Sequence, residues 1–252
     1  MDYQDVLAKV GAASAHPGGY ESTDFWLNKL SLNASQRLLD VGCGTGRTAL
    51  EINRKYGCEV TGLDIRPAMI EKAKLRAELN RQSAHWKLGS AEKLPFRENS
   101  FDVVITESVN VFVKANKSIR EAYRVLSEGG IYVNVEMFLM SPVNALWFKE
   151  LKKVYGVTHL PDLAGWKRLY RESGFNDIQV LETRSVRPQL GMQQNQPYAN
   201  EDLASPQVFE NPRVIEILAA NSRWLEANSR FLGYGIFVCH KVGLSRSSHE
   251  PA

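Results

Sequence analysis

Short apolar runs, most of them ending in an acidic residue, recur along the first half of this chain. Each is followed by a stretch with helical periodicity. RLLDVG (37–42), CEVTGLD (58–64), SAHWKLG (83–89), FDVVITE (101–107) and IYVNVE (131–136) have the length and composition of strands. The segments 47–56, 67–80 and 116–128 between them read as helices. In the last, Ile119, Ala122, Tyr123 and Leu126 share one face, and Gly129-Gly130 supplies the C-terminal stop. Pro67 suits the first turn of its helix, where no backbone N–H is required. Such alternation predicts an α/β fold, a doubly wound and mostly parallel sheet with helices on both faces. Ligands of these sheets bind beyond the carboxyl ends of the strands. The strand-ending acids Asp40, Asp64, Glu107 and Glu136 are therefore expected around one crevice. A carboxylate withdrawn from water there needs a partner or a task.

Beyond Glu136 the pattern gives a helical stretch to Tyr155, a helix over PDLAGWKRLYRESGF, and strands at 175–186 and 234–242. The segment between those two strands is too long for a hairpin turn. It contains a helix announced by Asn211 as N-cap and Pro212 in the first turn. The expected divisions are a helical cap (1–36), a core (37–187), a helical insertion (188–230), the last strand (231–243) and a disordered tail (244–252). Two readings of the insertion stay open: a lid over the crevice, or an arm that meets a second copy in a homodimer.

Composition narrows the function classes. With 44% hydrophobic and 23% charged residues in 252, the chain is an ordinary globular one. No apolar run approaches the roughly 18 residues of a membrane span. The N-terminus lacks the basic and apolar regions of a secretory signal, so a cytoplasmic location is expected and no membrane partner. The net charge is +3, and the densest basic stretch fits a solvated helix face, so no nucleic-acid partner is expected. Cys43, Cys58 and Cys239 form no C-x-x-C pair, and the histidines are scattered, so no metal is expected.

The chemistry concentrates in LLDVGCGTGR (38–47), a strand that runs into a glycine-rich turn. A dinucleotide fingerprint requires G-x-G-x-x-G, but Gly42, Gly44 and Gly46 give G-x-G-x-G, and Arg47 stands where the third glycine belongs. A phosphate-binding loop of the Walker type would need Gly-Lys-Ser/Thr, and the sequence has Gly46-Arg47-Thr48. Asp40 beside the turn suits an ammonium group better than a pyrophosphate.

This stretch resembles the first motif of class I S-adenosylmethionine-dependent methyltransferases of the small-molecule type. The resemblance continues in order from Arg37 to Val135. It implies a Rossmann-like sheet of seven strands, mostly parallel with an antiparallel last strand, and the insertion before that strand. It implies S-adenosylmethionine as cofactor and S-adenosylhomocysteine as product. Asp40, Gly42, Cys43, Gly44, Thr45 and Gly46 would form the turn around the methionine end. In VTGLDIRPAMIEKAK, Asp64 would accept from the ribose hydroxyls, with Ile65 and Met69 against the adenine. Ser90, Ala91 and Glu92 occupy the adenine-side loop, where many relatives carry Asp-Ala, so Ser90 is a departure. ITESVNVF, with Glu107 and Ser108, would wall the methionine part. SAHPGGYEST, including His16 and Gly19, resembles a segment that closes over the same end; a plain turn between two helices is the alternative.

Methyl transfer from a sulfonium is an in-line displacement that needs alignment more than a catalytic residue. Glu107, Glu136, His159 and His16 are the candidate bases, and none is singled out by sequence. The absence of Asn/Asp-Pro-Pro-Tyr after the fourth strand and of a Pro-Cys pair points away from nucleic-acid bases and protein glutamine. A small-molecule substrate is the leading expectation. The alternatives are a protein or RNA target, and a non-catalytic module that binds S-adenosylmethionine.

Overall fold

The computed structural model describes residues 1–186 and 203–243. The first part of the expected insertion and the expected tail therefore lie outside the described residues. One mixed sheet of seven strands organises the chain: β1 (Arg37–Val41), β2 (Glu59–Asp64), β3 (His85–Leu88), β4 (Phe101–Glu107), β5 (Leu126–Leu139), β6 (Asp177–Ser185) and β7 (Leu232–His240). Their order is β3-β2-β1-β4-β5-β7-β6. The strands from β3 to β5 pair in parallel, and β7 runs antiparallel between β5 and β6. The order reverses between β1 and β4, which opens a crevice at their carboxyl ends. Leu38, Leu39, Val103, Val104, Ile105, Val133 and Val135 are fully buried, as expected of central strands covered on both sides.

Three helices follow β1, β2 and β4: α3 (Arg47–Tyr56), α4 (Pro67–Leu79) and α5 (Ala115–Val125). The last is shorter than its periodicity predicts. Leu126 takes extended backbone angles and opens β5 beside Phe101. The Gly129-Gly130 pair is therefore no helix stop. Gly129 N–H donates to the Lys241 carbonyl at 2.8 Å, and Lys241 N–H returns to Gly130 at 2.9 Å. Ladder bonds to β7 outweigh another helical turn. The same ladder carries β5 past Glu136 as far as Leu139, opposite Leu232. The next helix, α6 (Ala145–Tyr155), starts only where Asn144 caps it, and α7 (Leu163–Glu172) starts behind Asp162.

Two helices precede the sheet, α1 (Tyr3–Val10) and α2 (Gly19–Leu27), and α8 (Pro212–Asn228) precedes β7. Asn211 caps α8 as expected, accepting from the Arg213 N–H at 3.0 Å. Val6 and Val10 of α1 pack with Val208 and Val214 in a small apolar cluster separate from the main core. This cluster ties α1 to α8. Among the described residues no helix is long and apolar enough to cross a membrane.

Trp86 of β3 lies over Gly46, where a Cβ would sit 2.4 Å from the indole and where φ is +77°. At Gly44, with φ +53°, a Cβ would meet nothing within 4 Å. Gly46→Ala thus combines backbone strain with overpacking and should lose about 1–3 kcal/mol of stability. Gly44→Ala meets strain alone and should lose less. Urea unfolding of both variants checks the order.

Candidate active site

The strand ends build the site. Asp40, Asp64 and Glu107 close three neighbouring strands and line one chamber. Asp64 is held by backbone donors, Gly44 N–H to Oδ2 at 3.0 Å and Arg66 N–H to Oδ1 at 2.8 Å. Burial raises its pKa. Asp40 is buried with Oδ2 unpartnered, and its pKa lies well above the usual carboxylate range. Desolvation is the main cause, reinforced by the charges of Glu107 and Asp64. Arg66, which also lines this chamber, stands 3.5 Å from Asp5 and 4.0 Å from Asp2.

Glu107 gathers donors from distant parts of the chain. Its Oε1 accepts from Thr23 Oγ1 at 2.8 Å and Trp26 Nε1 at 3.0 Å, both on α2. Its Oε2 accepts from Thr48 Oγ1 of α3 at 2.8 Å. His16 Nε2 stands 3.6 Å from Oε2 and 3.3 Å from Thr23 Oγ1. The carboxylate thus fastens the N-terminal cap to the sheet. Ser22 Oγ, near the other imidazole nitrogen at 3.4 Å, completes the setting of His16.

Glu136 serves a loop instead. It is fully buried, and Oε1 accepts from the backbone N–H groups of Val109 (2.8 Å) and Asn110. Its other oxygen has no partner, and burial lifts its pKa to about 8. The loop it holds begins at Ser108, a non-glycine residue with φ +58°. Ser108 and Phe112 of this loop, with Gln4 of α1, line all three chambers of the crevice.

Those chambers lie in a row. The middle one, about 110 Å³, holds the glycine turn and the three acids. One flank, about 350 Å³, runs past Asp64, Ile65, Ser90 and Ala91. The other, about 220 Å³, is walled by α1, α6, α8 and the segment before α2. His16 borders the middle chamber and this last one.

Known proteins agree with this architecture. The family model described as a methyltransferase domain matches residues 39–134. An uncharacterized methyltransferase, YodH, of Bacillus subtilis (strain 168) is 31% identical over 95% of this chain and 99% of its own. The chain belongs to the class I S-adenosylmethionine-dependent methyltransferases. A ubiquinone/menaquinone biosynthesis C-methyltransferase of Geobacter sp. (strain M21) is 35% identical over 56% of this methyltransferase and 61% of its own length. Among solved structures, phospholethanolamine N-methyltransferase 2 of Haemonchus contortus, complexed with S-adenosylhomocysteine, superposes with a TM-score of 0.72. It is 20% identical and covers 96% of this chain and 56% of its own.

The residues expected from sequence divide into three groups in the methyltransferase. Asp40, Gly42, Cys43, Gly44, Thr45, Asp64, Met69, Glu107 and Ser108 line the middle chamber, and Ile65, Ser90 and Ala91 line the larger flank. Cys43 is buried with its thiol pKa pushed well up, so the thiol stays protonated. A second group stands behind the walls. Gly46 faces Trp86, and Glu92 accepts from the Lys114 N–H at 2.9 Å. Gly19 opens α2 while its neighbour Gly18 borders the chamber. Glu136 and His159 are in the third group, apart from the chambers. His159 meets Thr158 Oγ1 at 3.0 Å and packs on Trp166, and burial lowers its pKa. Sequence reasoning missed Gln4 and Thr48. Neither belongs to a motif, and only the packing of α1 and α3 brings them in.

Two measurements probe these assignments. Glu107→Ala removes the acceptor shared by Thr23, Trp26 and Thr48, so amide hydrogen exchange in α2 should accelerate while the central strands stay protected. Unchanged exchange in α2 would contradict the clasp. Glu136 binds its proton more tightly folded than unfolded, so its contribution to stability falls as pH rises from 4.5 to about 8. Glu136→Gln should flatten that part of the stability-against-pH curve, and an unaltered slope would refute it.

Proposed function

We propose that this methyltransferase delivers the methyl group of S-adenosylmethionine to an oxygen, nitrogen, sulfur or carbon nucleophile of a small molecule. The observation that carries the reading is the row of three joined chambers with the acid-lined one in the middle. Buried Asp40 has an oxygen without a donor, and an ammonium group would supply one. Asp64 keeps lone pairs beyond its two backbone donors, and these suit the paired hydroxyls of a ribose. The flank of Ile65, Ser90 and Ala91 would take the adenine. A pyrophosphate fits the middle chamber poorly, since three carboxylates face it against the one guanidinium of Arg66 among the described lining residues.

When bound, S-adenosylmethionine supplies a methyl group already activated by a sulfonium leaving group. The chain's task is to align the acceptor and exclude water, and alignment contributes roughly 7–11 kcal/mol to such a step. α1 and α8, joined through their own apolar cluster, would act as the lid. The flank walled by α1, α6 and α8 would take the acceptor, and His16, which borders both it and the middle chamber, is the candidate proton acceptor. Glu107 already accepts from three donors, and Glu136 holds a loop.

Calorimetry with S-adenosylmethionine, S-adenosylhomocysteine and NAD tests this. The first two should bind and NAD should not; the reverse outcome overturns the reading. Asp64→Ala should weaken S-adenosylhomocysteine at least about tenfold, the scale of a charge-assisted hydrogen-bond pair. An unchanged affinity would remove Asp64 from the ribose.

A further inference from the structure

The acceptor chamber differs in chemistry from its neighbour. Among the described residues that line it there is no Lys, Arg, Asp or Glu. Its polar groups are the phenols of Tyr3 and Tyr155, the amides of Gln4 and Asn221, the hydroxyls of Ser108 and Ser222, and His16. Burial pushes the Tyr155 phenol up, and that of Tyr3 to about 12, so both stay neutral at ordinary pH. Along the described walls a carboxylate or phosphate entering this chamber would leave water and meet no Lys or Arg, and an ammonium would meet no Asp or Glu.

Asn221 adds a direction to this neutral surface. It is 7% exposed, on the α8 face that also gives Ser222 and Leu225 to the chamber, and it lies against the Tyr155 phenol. Its buried Nδ2 makes no hydrogen bond of sound geometry, although the Tyr155 phenol lies beside it. Buried amide donors are nearly always satisfied, so one that its neighbour meets poorly, on a residue that lines a chamber, calls for a ligand acceptor. Building on the methyl-transfer reading, we propose that the chamber takes an uncharged, largely apolar acceptor molecule, anchored through an oxygen atom by the Asn221 amide. Phe112, Met137, Val186 and Leu225 supply the apolar walls. A volume of about 220 Å³ suits a compact ring system rather than a long chain.

The test uses the full chain saturated with S-adenosylhomocysteine and reads binding by probe fluorescence, without turnover. The probes are 2-naphthol, 2-naphthoate, 2-naphthyl phosphate and 2-naphthylmethylammonium. The neutral probe should bind at least about tenfold more tightly than any charged one. Asn221→Leu, close in volume, should weaken 2-naphthol about five- to tenfold and leave naphthalene, which has no oxygen, unchanged. A charged probe that binds as well as 2-naphthol, or no binding by 2-naphthol, overturns the substrate class. An equal response of 2-naphthol and naphthalene to Asn221→Leu overturns the anchor. Both failures leave the methyl-transfer reading standing if S-adenosylhomocysteine still binds. Loss of S-adenosylhomocysteine binding by the unmodified protein overturns both.

Discussion

A carboxylate withdrawn from water at the end of a strand must be met by donors, and those that meet Glu107 come from separate parts of the chain. Thr23 and Trp26 reach it from α2, and Thr48 reaches it from α3. Without them a charge would be stranded in the crevice, at a cost comparable to much of a domain's net stability. The N-terminal cap and the sheet are therefore obliged to fold against each other. His16, which helps to line two chambers, is positioned as a consequence of this clasp. So is the path from α2 back to α1, whose Gln4 reaches every chamber.

The same constraint explains the polarity of the site. Asp40 and Asp64 join Glu107 around one small chamber, where burial, and then the charges of Glu107 and Asp64, raise the cost of ionising Asp40. Such a site is under electrostatic tension that an anionic ligand would worsen. A ligand bearing an ammonium and a sulfonium relieves it, because each positive centre stabilises carboxylates that otherwise repel one another. Selection against phosphate ligands thus resides in charge as well as in the spacing of the glycines. Arg47 in place of a dinucleotide glycine is consistent with this: its guanidinium lies over the Tyr20 ring of the cap, 4.6 Å from the centroid.

What the chain reveals before folding follows from what is local. Strands buried on both faces announce themselves by continuous apolar letters, and their terminal acids mark the crevice. Asp40, Asp64 and Glu107 were legible for that reason. Glu136 looked the same in sequence, yet its carboxylate turns inward to the backbone of Val109 and Asn110. Period and composition cannot tell those two fates apart. The Gly129-Gly130 pair misled because its meaning depends on Lys241, more than a hundred residues away, whose backbone claims it for a ladder. Gln4 and Thr48 were illegible for the same reason: their neighbours in space are far away in sequence.

The chamber walled by α1, α6 and α8 is the extreme case. Its walls come from α1, the stretch around His16, the loop after β4, α6 and α8, each giving only a few residues. No single stretch carries enough of them to form a motif. The glycine turn needs fixed backbone geometry, which constrains consecutive letters. A chamber walled by helices needs only shape and a few polar atoms, which many unrelated letters can supply. The strand ends are therefore the legible half of the crevice, and the helices beside them the illegible one. Asn221 shows why structure is required: in sequence it is one more polar residue on a helix, and only burial makes its amide informative.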